Sequence, residues 1–242
     1  MRISIIVPVL NEAAILEKFL HQLRDVASDS EIIVVDGKSE DASGSIAREL
    51  ADRVLQAPRG RARQMNAGAQ LACGQALWFV HADSEVPQDS LEAINQALSN
   101  PKMVGGCFRL QIASARPIFR TRDAIANFLV DVFGIAFGDR GLFCRRQTFA
   151  EIGGYPELAV LEDAEFYRRL RGYGEVVQVK QTIRTSSRRY MELGPFTTMF
   201  FYTLVIFLYA LRVPHTILEK IIRRFMNWRS GSLPDSAVRL PV

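Results

Sequence analysis

Apolar runs of strand length, each followed by a segment of helical periodicity, fill the first 106 residues. The runs are ISIIVPVL (3–10), EIIVVD (31–36), the shorter RVLQA (53–57) and QALWFV (75–80). Successive side chains of a strand point to opposite faces, so a run that is apolar throughout must be covered on both. The intervening segments supply that cover. Ile15, Phe19, Leu20 and Leu23 recur at helical spacing. DASGSIARELA reads as a helix capped by Asp41, RARQMNAGAQLA as another, and QDSLEAINQALS as one more after Pro87. MVGGCFRLQI is then extended. The pattern predicts an α/β fold, a Rossmann-like, mostly parallel central sheet with helices on both faces.

In such sheets ligands bind beyond the carboxyl ends of the strands. Those ends are where this chain turns polar. The first run stops at Asn11-Glu12, the second at Asp36-Gly37 and the fourth at His81-Ala82-Asp83. Gly37 lets a ligand approach the backbone closely. Each acid also has a plainer use: Asp36 as a cap for the next helix, Asp83 as a turn residue, and Glu162-Asp163 as acids suited to a helix N-terminus.

Several function classes are excluded. A net charge of +4 with no arginine and lysine stripe interleaved with aromatics does not support nucleic-acid binding. No GxGxxG follows the first strand and no GxxxxGK[ST] occurs, which argues against a dinucleotide fold or a P-loop kinase. The histidines are His21, His81 and His215, without HExxH, and GxSxG is absent. Cys73, Cys107 and Cys144 are widely separated and odd in number, so they read as small buried residues in a reducing compartment. The N-terminal apolar run contains Pro8 and meets Asn11-Glu12 at once. It reads as a first strand and not as an export signal, and the expected compartment is the cytosol.

The second half is less regular. IFRTRDAIANFLVDVFGIAF reads as helical, GDRGLFCRRQTFAEIGGYPE as loop, short strand and short helix, LEDAEFYRRLRGYG as a helix stopped at Gly172 and Gly174, and TSSRRYMELG as a linker.

Six blocks in order, SIIVPVLNE (4–12), VVDGKSEDAS (34–43), GRARQMNAGA (60–69), FVHADS (79–84), GDRGLFCRR (138–146) and EIGGYPE with LEDAEF (151–166), resemble the family 2 glycosyltransferases. The resemblance extends to about Arg189. GRARQMNAGA with HADS and GDRG also resembles a bacterial subgroup labelled radical-SAM/selenodomain-associated transferases, a label that names genomic company and no reaction. What the resemblance implies is the GT-A form of the fold and an inverting transfer of a sugar from a nucleotide-diphosphate sugar to a hydroxyl acceptor. Pro8, Asn11, Glu12 and Asp36 would hold the nucleotide. One or more of Arg59, Arg61 and Arg63, with Asn66, would reach base, ribose or diphosphate. Asp83 would be the metal-binding acid, flanked by His81 and Ala82 on the donor. Asp163, paired with Glu162, would be the general base, and Asp139 would lie on the acceptor side.

The chemistry accounts for these residue types. A leaving diphosphate concentrates negative charge, which a divalent cation neutralises. Mg²⁺ or Mn²⁺ prefers hard oxygen ligands, and Mg²⁺ keeps several waters, so one aspartate suffices. A hydroxyl attacks well only when a carboxylate takes its proton. Two departures from the family pattern stand out. His81 occupies the first position of a motif that often reads Asp-x-Asp, and it either contacts the donor or packs. Lys38 occupies a spot often held by Gly or Asp, and reads as a solvated loop residue or a phosphate partner.

The tail differs in composition. Leu193–Leu211 carries no charge, yet its compact apolar part, Met199–Leu211, is short for a span. A single span would also export Arg212, Lys220, Arg223, Arg224 and Arg229, against the positive-inside tendency. The tail is therefore expected to lie in the membrane interface, with TILEKIIRRFMNW supplying apolar and basic faces and Trp228. Packing or a homo-oligomer contact is the second use, and spanning the third. The expected organisation is a catalytic domain over 1–189 and a helical segment over 190–242, peripheral on the inner face of the cell membrane. A lipid-linked or other apolar acceptor fits that location. Two other functions stay open: a nucleotidyltransferase-like enzyme, which would release pyrophosphate, and a non-catalytic nucleotide-sugar-binding scaffold.

Overall fold

The computed structural model describes residues 1–230. Strands β1 (Ile3–Val9), β2 (Glu31–Asp36), β3 (Arg53–Gln56) and β4 (Ala76–Phe79) alternate with helices α1 (Ala13–Val26), α2 (Ser43–Leu50) and α3 (Arg61–Leu71). After β5 (Ser84–Glu85) and α4 (Ser90–Ala97) come the long β6 (Met103–Ala113), α5 (Pro117–Phe133), a 3-10 turn at Gly138–Arg140, β7 (Phe143–Arg145), α6 (Arg146–Glu151), α7 (Glu162–Tyr173) and β8 (Glu175–Ser186). Three helices follow: α8 (Arg188–Leu193), α9 (Pro195–Ala210) and α10 (His215–Ser230).

Among the described residues the strands form one sheet in the order β3-β2-β1-β4-β7-β6-β8-β5. The first four pair in parallel. β7 runs antiparallel to both neighbours, and β6 pairs in parallel with β8. This is the expected mostly parallel α/β sheet. β1 and β2 are buried at every position, as continuous apolar runs require. One core lies on the α1 face around Leu16, Leu20, Ile5 and Trp78, the other on the α3 face around Met65, Ile6, Phe79 and Phe166. Gly68 sits where α3 crosses the sheet. A Cβ there would lie 2.6 Å from Ile6 and 2.9 Å from Val35, so no larger residue permits that approach.

Register places the strand ends together. Val9 is opposite Asp36, and Asp36 is opposite Gln56, so β1, β2 and β3 finish on one line.

Some elements depart from the sequence reading. TSSRRYMELG is not a linker: Thr185 and Ser186 end β8, and Arg188–Leu193 is helical. The 189/190 boundary thus falls within α8. The helix expected through Phe137 stops at Phe133, because Gly134 takes a left-handed conformation (φ 63°) that ends it. β8 was not legible, since its apolar positions are sparse and half-exposed. Cys107 and Cys144 are buried as expected, whereas Cys73 is exposed.

The tail packs on the rest of the chain. Val160 joins Leu193, Phe201, Val205 and Ile222 in one apolar cluster, and Ile112 and Phe119 join Tyr190 in another. Tyr209 donates to Glu165 of α7 at 3.4 Å. No helix among the described residues is long and apolar enough to cross a membrane. Trp228 and Arg229 lie outside the residues whose side chains are described.

Candidate functional site

The parallel strands deliver two loops to the sheet edge, and these loops are laced together. Asn11, left-handed at φ 53°, donates its N–H to Ser39 Oγ (2.9 Å), and its side-chain carbonyl accepts the Glu40 N–H (2.8 Å). The Glu12 N–H bonds Ser43 Oγ (2.8 Å), and the Ala13 N–H bonds Asp41 (3.1 Å). Asp41 also accepts the Ser43 N–H (3.0 Å), so it caps α2 from one residue further out than a regular cap. These bonds satisfy helix N-termini that otherwise lack partners. Desolvation pushes the Asp41 carboxyl up, and its bonds from Ser43 and Ala13 outweigh it and hold that carboxyl below the ordinary range. Pro8 lies buried within β1.

Asp36 closes β2 at 2 % exposure. Its carboxylate accepts the Ser39 N–H (2.9 Å) and the Gln56 amide (3.4 Å). Beside it is a residue that the sequence reading passed over. Gln64 of α3 is buried and donates its amide to the carbonyls of Val9 (2.9 Å) and Val35 (2.8 Å), pinning the ends of β1 and β2. A Cβ on Gly37 would come within 3.1 Å of that amide. Only the block GRARQMNAGA marked the region, and no periodicity distinguishes this glutamine from a surface one.

The basic block divides. Arg59 pairs with Glu40 (2.6 Å) and Arg63 with Glu157 (2.9 Å), both exposed. Exposed pairs of this kind are worth roughly 0–1 kcal/mol, so either guanidinium is readily exchanged to an incoming anion. Arg61 lies within the field of Asp139 and Asp163 and lowers the pKa of both. Asn66 is engaged elsewhere: its amide donates to the Tyr155 carbonyl (2.8 Å) and accepts the Tyr155 N–H (2.9 Å). It clamps α3 to the segment before α7.

Beyond β4, His81 is half-buried, Ala82 buried and Asp83 exposed. The His81 carbonyl accepts the Ser84 N–H at 3.1 Å, turning the chain so that Asp83 stands at the tip. The negative charge of Asp83 raises the pKa of Asp139, so the two carboxylates share one electrostatic neighbourhood although 56 residues separate them. Burial is the first cause of that rise, with Arg140 and Arg122 opposing it. Oδ1 of Asp139 is buried and accepts no hydrogen bond.

Asp163, 4 % exposed, begins α7 beside the buried Glu162. Its Oδ2 accepts the Gly138 N–H (2.5 Å) and its Oδ1 the Ala164 N–H (2.7 Å). Burial and then the Glu162 charge push its carboxyl up, while both N–H groups and Arg61 act the other way. A carboxylate offers about four lone-pair sites, so two stay open. Leu161, immediately before the pair, is left-handed at φ 61°, an uncommon conformation for a branched residue outside glycine and asparagine. An apolar cavity lined by Leu161, Phe137, Arg122 and Asp139 on one side and Phe201 and Val205 of α9 on the other adjoins this corner.

Asp83 and Arg61 thus both act on Asp139, and Arg61 also acts on Asp163. Asn11, Glu12 and Asp36 form a second group at the ends of β1 and β2. Asn66, Arg59 and Arg63 are all engaged by protein partners.

A family model described as Glycosyl transferase family 2 matches residues 4–150. A beta-monoglucosyldiacylglycerol synthase of Trichormus variabilis is 26% identical over 190 residues, covering 69% of this chain and 41% of that protein. The chain therefore spans about two fifths of that relative's length. A PGL/p-HBAD biosynthesis glycosyltransferase of Mycobacterium bovis is 28% identical over 204 residues, covering 79% and 77%. Among solved structures, the mannosyltransferase PcManGT from Pyrobaculum calidifontis, in complex with GDP-Man and Mn2+, superposes with a TM-score of 0.68 at 21% identity, covering 98% of this chain and 78% of that one. The fold is GT-A, and the chain belongs to glycosyl transferase family 2.

Proposed function

We propose that this chain transfers a sugar from a nucleotide-diphosphate sugar to a hydroxyl acceptor with inversion, assisted by a divalent cation. The observation that supports this best is Asp163. It is buried, raised in pKa by that burial and by Glu162, fixed through both oxygens by backbone N–H groups, and within the field of Arg61. A positioned carboxylate with raised pKa is suited to take a proton at neutral pH.

Asp163 accepts the proton of the acceptor hydroxyl as its oxygen bonds the anomeric carbon. The bond from that carbon to the diphosphate breaks, and the electron pair leaves with the nucleoside diphosphate. A base on the face opposite the leaving group gives inversion. Asp36 and the laced loops at Asn11 and Glu12 hold the nucleotide. Arg61, with Arg59 or Arg63 released from its glutamate, meets the diphosphate. Burial, and after it the Glu162 charge, keep the Asp163 carboxyl raised.

Among the described residues, no three His, Cys, Asp or Glu side chains cluster to hold a metal alone. Asp83, exposed at its turn, nevertheless fits Mg²⁺ or Mn²⁺ completed by diphosphate oxygens and waters, since such ions take as few as one or two carboxylates. When bound, the cation neutralises charge on the leaving diphosphate. PcManGT is in complex with GDP-Man and Mn2+, which supports a divalent cation here.

Of the segment 190–242, whose residues 231–242 lie outside the described ones, helices α9 and α10 are assigned to the membrane surface. Phe196, Phe200, Leu204, Phe207 and Leu211 recur along one face of α9 and its end, and are exposed, Phe196 at 74% and Phe200 at 72%. Such a face is stabilised by lipid. The diacylglycerol in the name of the Trichormus variabilis relative supports an apolar or lipid-linked acceptor.

The test is a panel of sugar nucleotides, GDP-mannose and UDP-GlcNAc included, with Mn²⁺ or Mg²⁺ and a membrane extract as acceptor. Transfer, or slow donor hydrolysis, that disappears in Asp163→Asn and in Asp83→Asn is expected. Full turnover in both variants overturns the assignment, and pyrophosphate release from a nucleoside triphosphate and a sugar phosphate replaces it with nucleotidyl transfer.

A further inference from the structure

Arg140 is a guanidinium buried to 3% exposure, and its hydrogen bonds go to neutral groups. Its Nη1 donates to the side-chain carbonyls of Asn127 (2.7 Å) and Gln178 (3.0 Å). Burial pushes its pKa down, and Cys107 and Asp139 act the other way. A cation taken out of water is costly to the fold, and neutral amides offset less of that cost than a carboxylate does. Stability alone is a weak reason for an arginine here. The two amides are themselves fixed. Asn127 of α5 accepts the Leu110 N–H and donates to the Leu110 carbonyl of β6, both at 3.0 Å. Gln178 of β8 donates to the Asn127 carbonyl (3.1 Å) and to Asp131 (2.7 Å). The guanidinium is thus gripped by β6, α5 and β8 together. What it holds is the 3-10 turn Gly138–Arg140. The Arg140 N–H bonds the Phe137 carbonyl (3.2 Å) and the Gly141 N–H the Gly138 carbonyl (3.1 Å). Gly141, left-handed at φ 58°, ends the turn where a Cβ would collide with Ile183 and Trp78. At the turn's other end the Gly138 N–H donates to Oδ2 of Asp163 at 2.5 Å.

We propose that Arg140 is a positioning residue for Asp163 and acts through the backbone of Gly138. The proposal rests on the transfer reading for what Asp163 does, and on this chain of hydrogen bonds for how Asp163 is aimed. Asn127 and Gln178 fix the guanidinium, the guanidinium fixes a three-residue turn, and the turn presents one N–H to the carboxylate. The cation that acts on Asp163 through its field is Arg61, so Arg140 acts by geometry. The other titratable groups bearing on Asp163 are Glu162 beside it on α7, Tyr155 before α7 and Tyr209 of α9. They and Arg61 lie on elements outside the Arg140 network, so loosening that network leaves them in place. An N–H bonded to a carboxylate favours its charged form. Slackening the turn therefore raises the Asp163 pKa and frees Oδ2 to move away from the acceptor hydroxyl.

The experiment follows the Asp163 carboxyl of the full chain against pH by NMR with 13C-labelled aspartate, assigned with Asp163→Asn, and measures kcat of transfer or donor hydrolysis alongside. Arg140→Met keeps an unbranched stem and removes the donor. It is expected to move the Asp163 titration and the acid limb of kcat to higher pH. It is also expected to lower kcat about a hundredfold, the order expected when a reacting group is misplaced by about 1 Å, with donor Kd unchanged. Both bonds leave from one terminal nitrogen, so Arg140→Lys is expected to restore most of the titration and most of the rate. Ser4→Ala loses bonds with Glu31 (2.6 Å) and Gly74 (2.8 Å) at the opposite end of β1, and is expected to lower the melting temperature without moving the titration. Where Arg140→Met does not fold, Gln178→Met removes one of the two acceptors and is expected to give a smaller shift in the same direction. An Asp163 titration unmoved in Arg140→Met, or in Gln178→Met where that variant stands in for it, overturns the proposal. So does an Arg140→Lys protein no closer to the unaltered one than Arg140→Met, which assigns the effect to packing. The titration is read without turnover, so the two readings fail separately. A moved titration in a chain that transfers no sugar keeps the positioning and removes the base. Transfer abolished by Asp163→Asn, with the titration unmoved in the Arg140 variants, does the reverse.

Discussion

The N–H of Gly138 donates to Oδ2 of Asp163 at 2.5 Å, joining the 3-10 turn to the start of α7 across 25 residues of chain. The carboxylate proposed as base is therefore aimed by backbone, and its direction does not depend on a neighbouring rotamer. Asp163→Asn keeps shape and volume while removing the proton acceptor. Transfer is expected to fall by about a hundred- to ten-thousand-fold, the usual contribution of a positioned base, with donor affinity by calorimetry nearly unchanged. A matching loss of donor affinity would reassign Asp163 to binding.

The pH dependence follows from the same residue. Burial and Glu162 raise the Asp163 pKa, and the base works only ionised. The acid limb of kcat is expected above the ordinary aspartate value of about 3.9. Glu162→Gln removes the second cause, so the limb moves to lower pH. An unmoved limb in Glu162→Gln would detach it from Asp163.

Stability carries the opposite sign. A carboxyl whose folded pKa is raised binds its proton more tightly folded than unfolded. Its contribution is complete below the unfolded pKa and is lost as pH rises through the folded one. The melting temperature of the unaltered protein is thus expected to decline over that window more steeply than that of Asp163→Asn. Parallel curves would show that Asp163 is not raised.

Asn66 separates two roles that the sequence presents as one. Both polar ends of its amide bond the backbone of Tyr155. Asn66→Ala strands an N–H and a carbonyl in a part-buried place, at a cost of about 1–3 kcal/mol for an unmet group. Chemical denaturation should register the loss, with the donor Kd shifting little. A weakened donor Kd at unchanged stability would restore the nucleotide contact that the motif suggests.

The outer face of α9 gives a test away from the chemistry. Phe196→Ser, Phe200→Ser and Phe207→Ser combined remove three exposed aromatics that each gain roughly 1.5–3 kcal/mol on full burial. Flotation with anionic liposomes is expected to be lost. Unchanged flotation would leave the face without a lipid role.

How much of this was legible depends on what each residue answers to. The parallel half was readable because β1 and β2 are buried on both faces, so their apolar runs have no competing explanation. The acids at strand ends were readable because a polar residue closing such a run is conspicuous. β8 was not, because a long, half-exposed strand needs few apolar positions. α8 was not, because serines and arginines read as a connection when the apolar surface they pack on lies elsewhere in the chain. Gln64 and the engagement of Asn66 were invisible for a different reason. Their partners are backbone carbonyls and amides, which every residue possesses and no sequence marks.

Gln64 and Gly37 carry a consequence that reaches two strands. The amide of Gln64 occupies the space that a side chain at position 37 would need, and it does so because it must reach two carbonyls at once. A side chain at position 37 therefore crowds the amide that pins both strand ends. A change at Gly37 is thus expected to be felt at Val9 and Val35, on two strands, through one glutamine side chain.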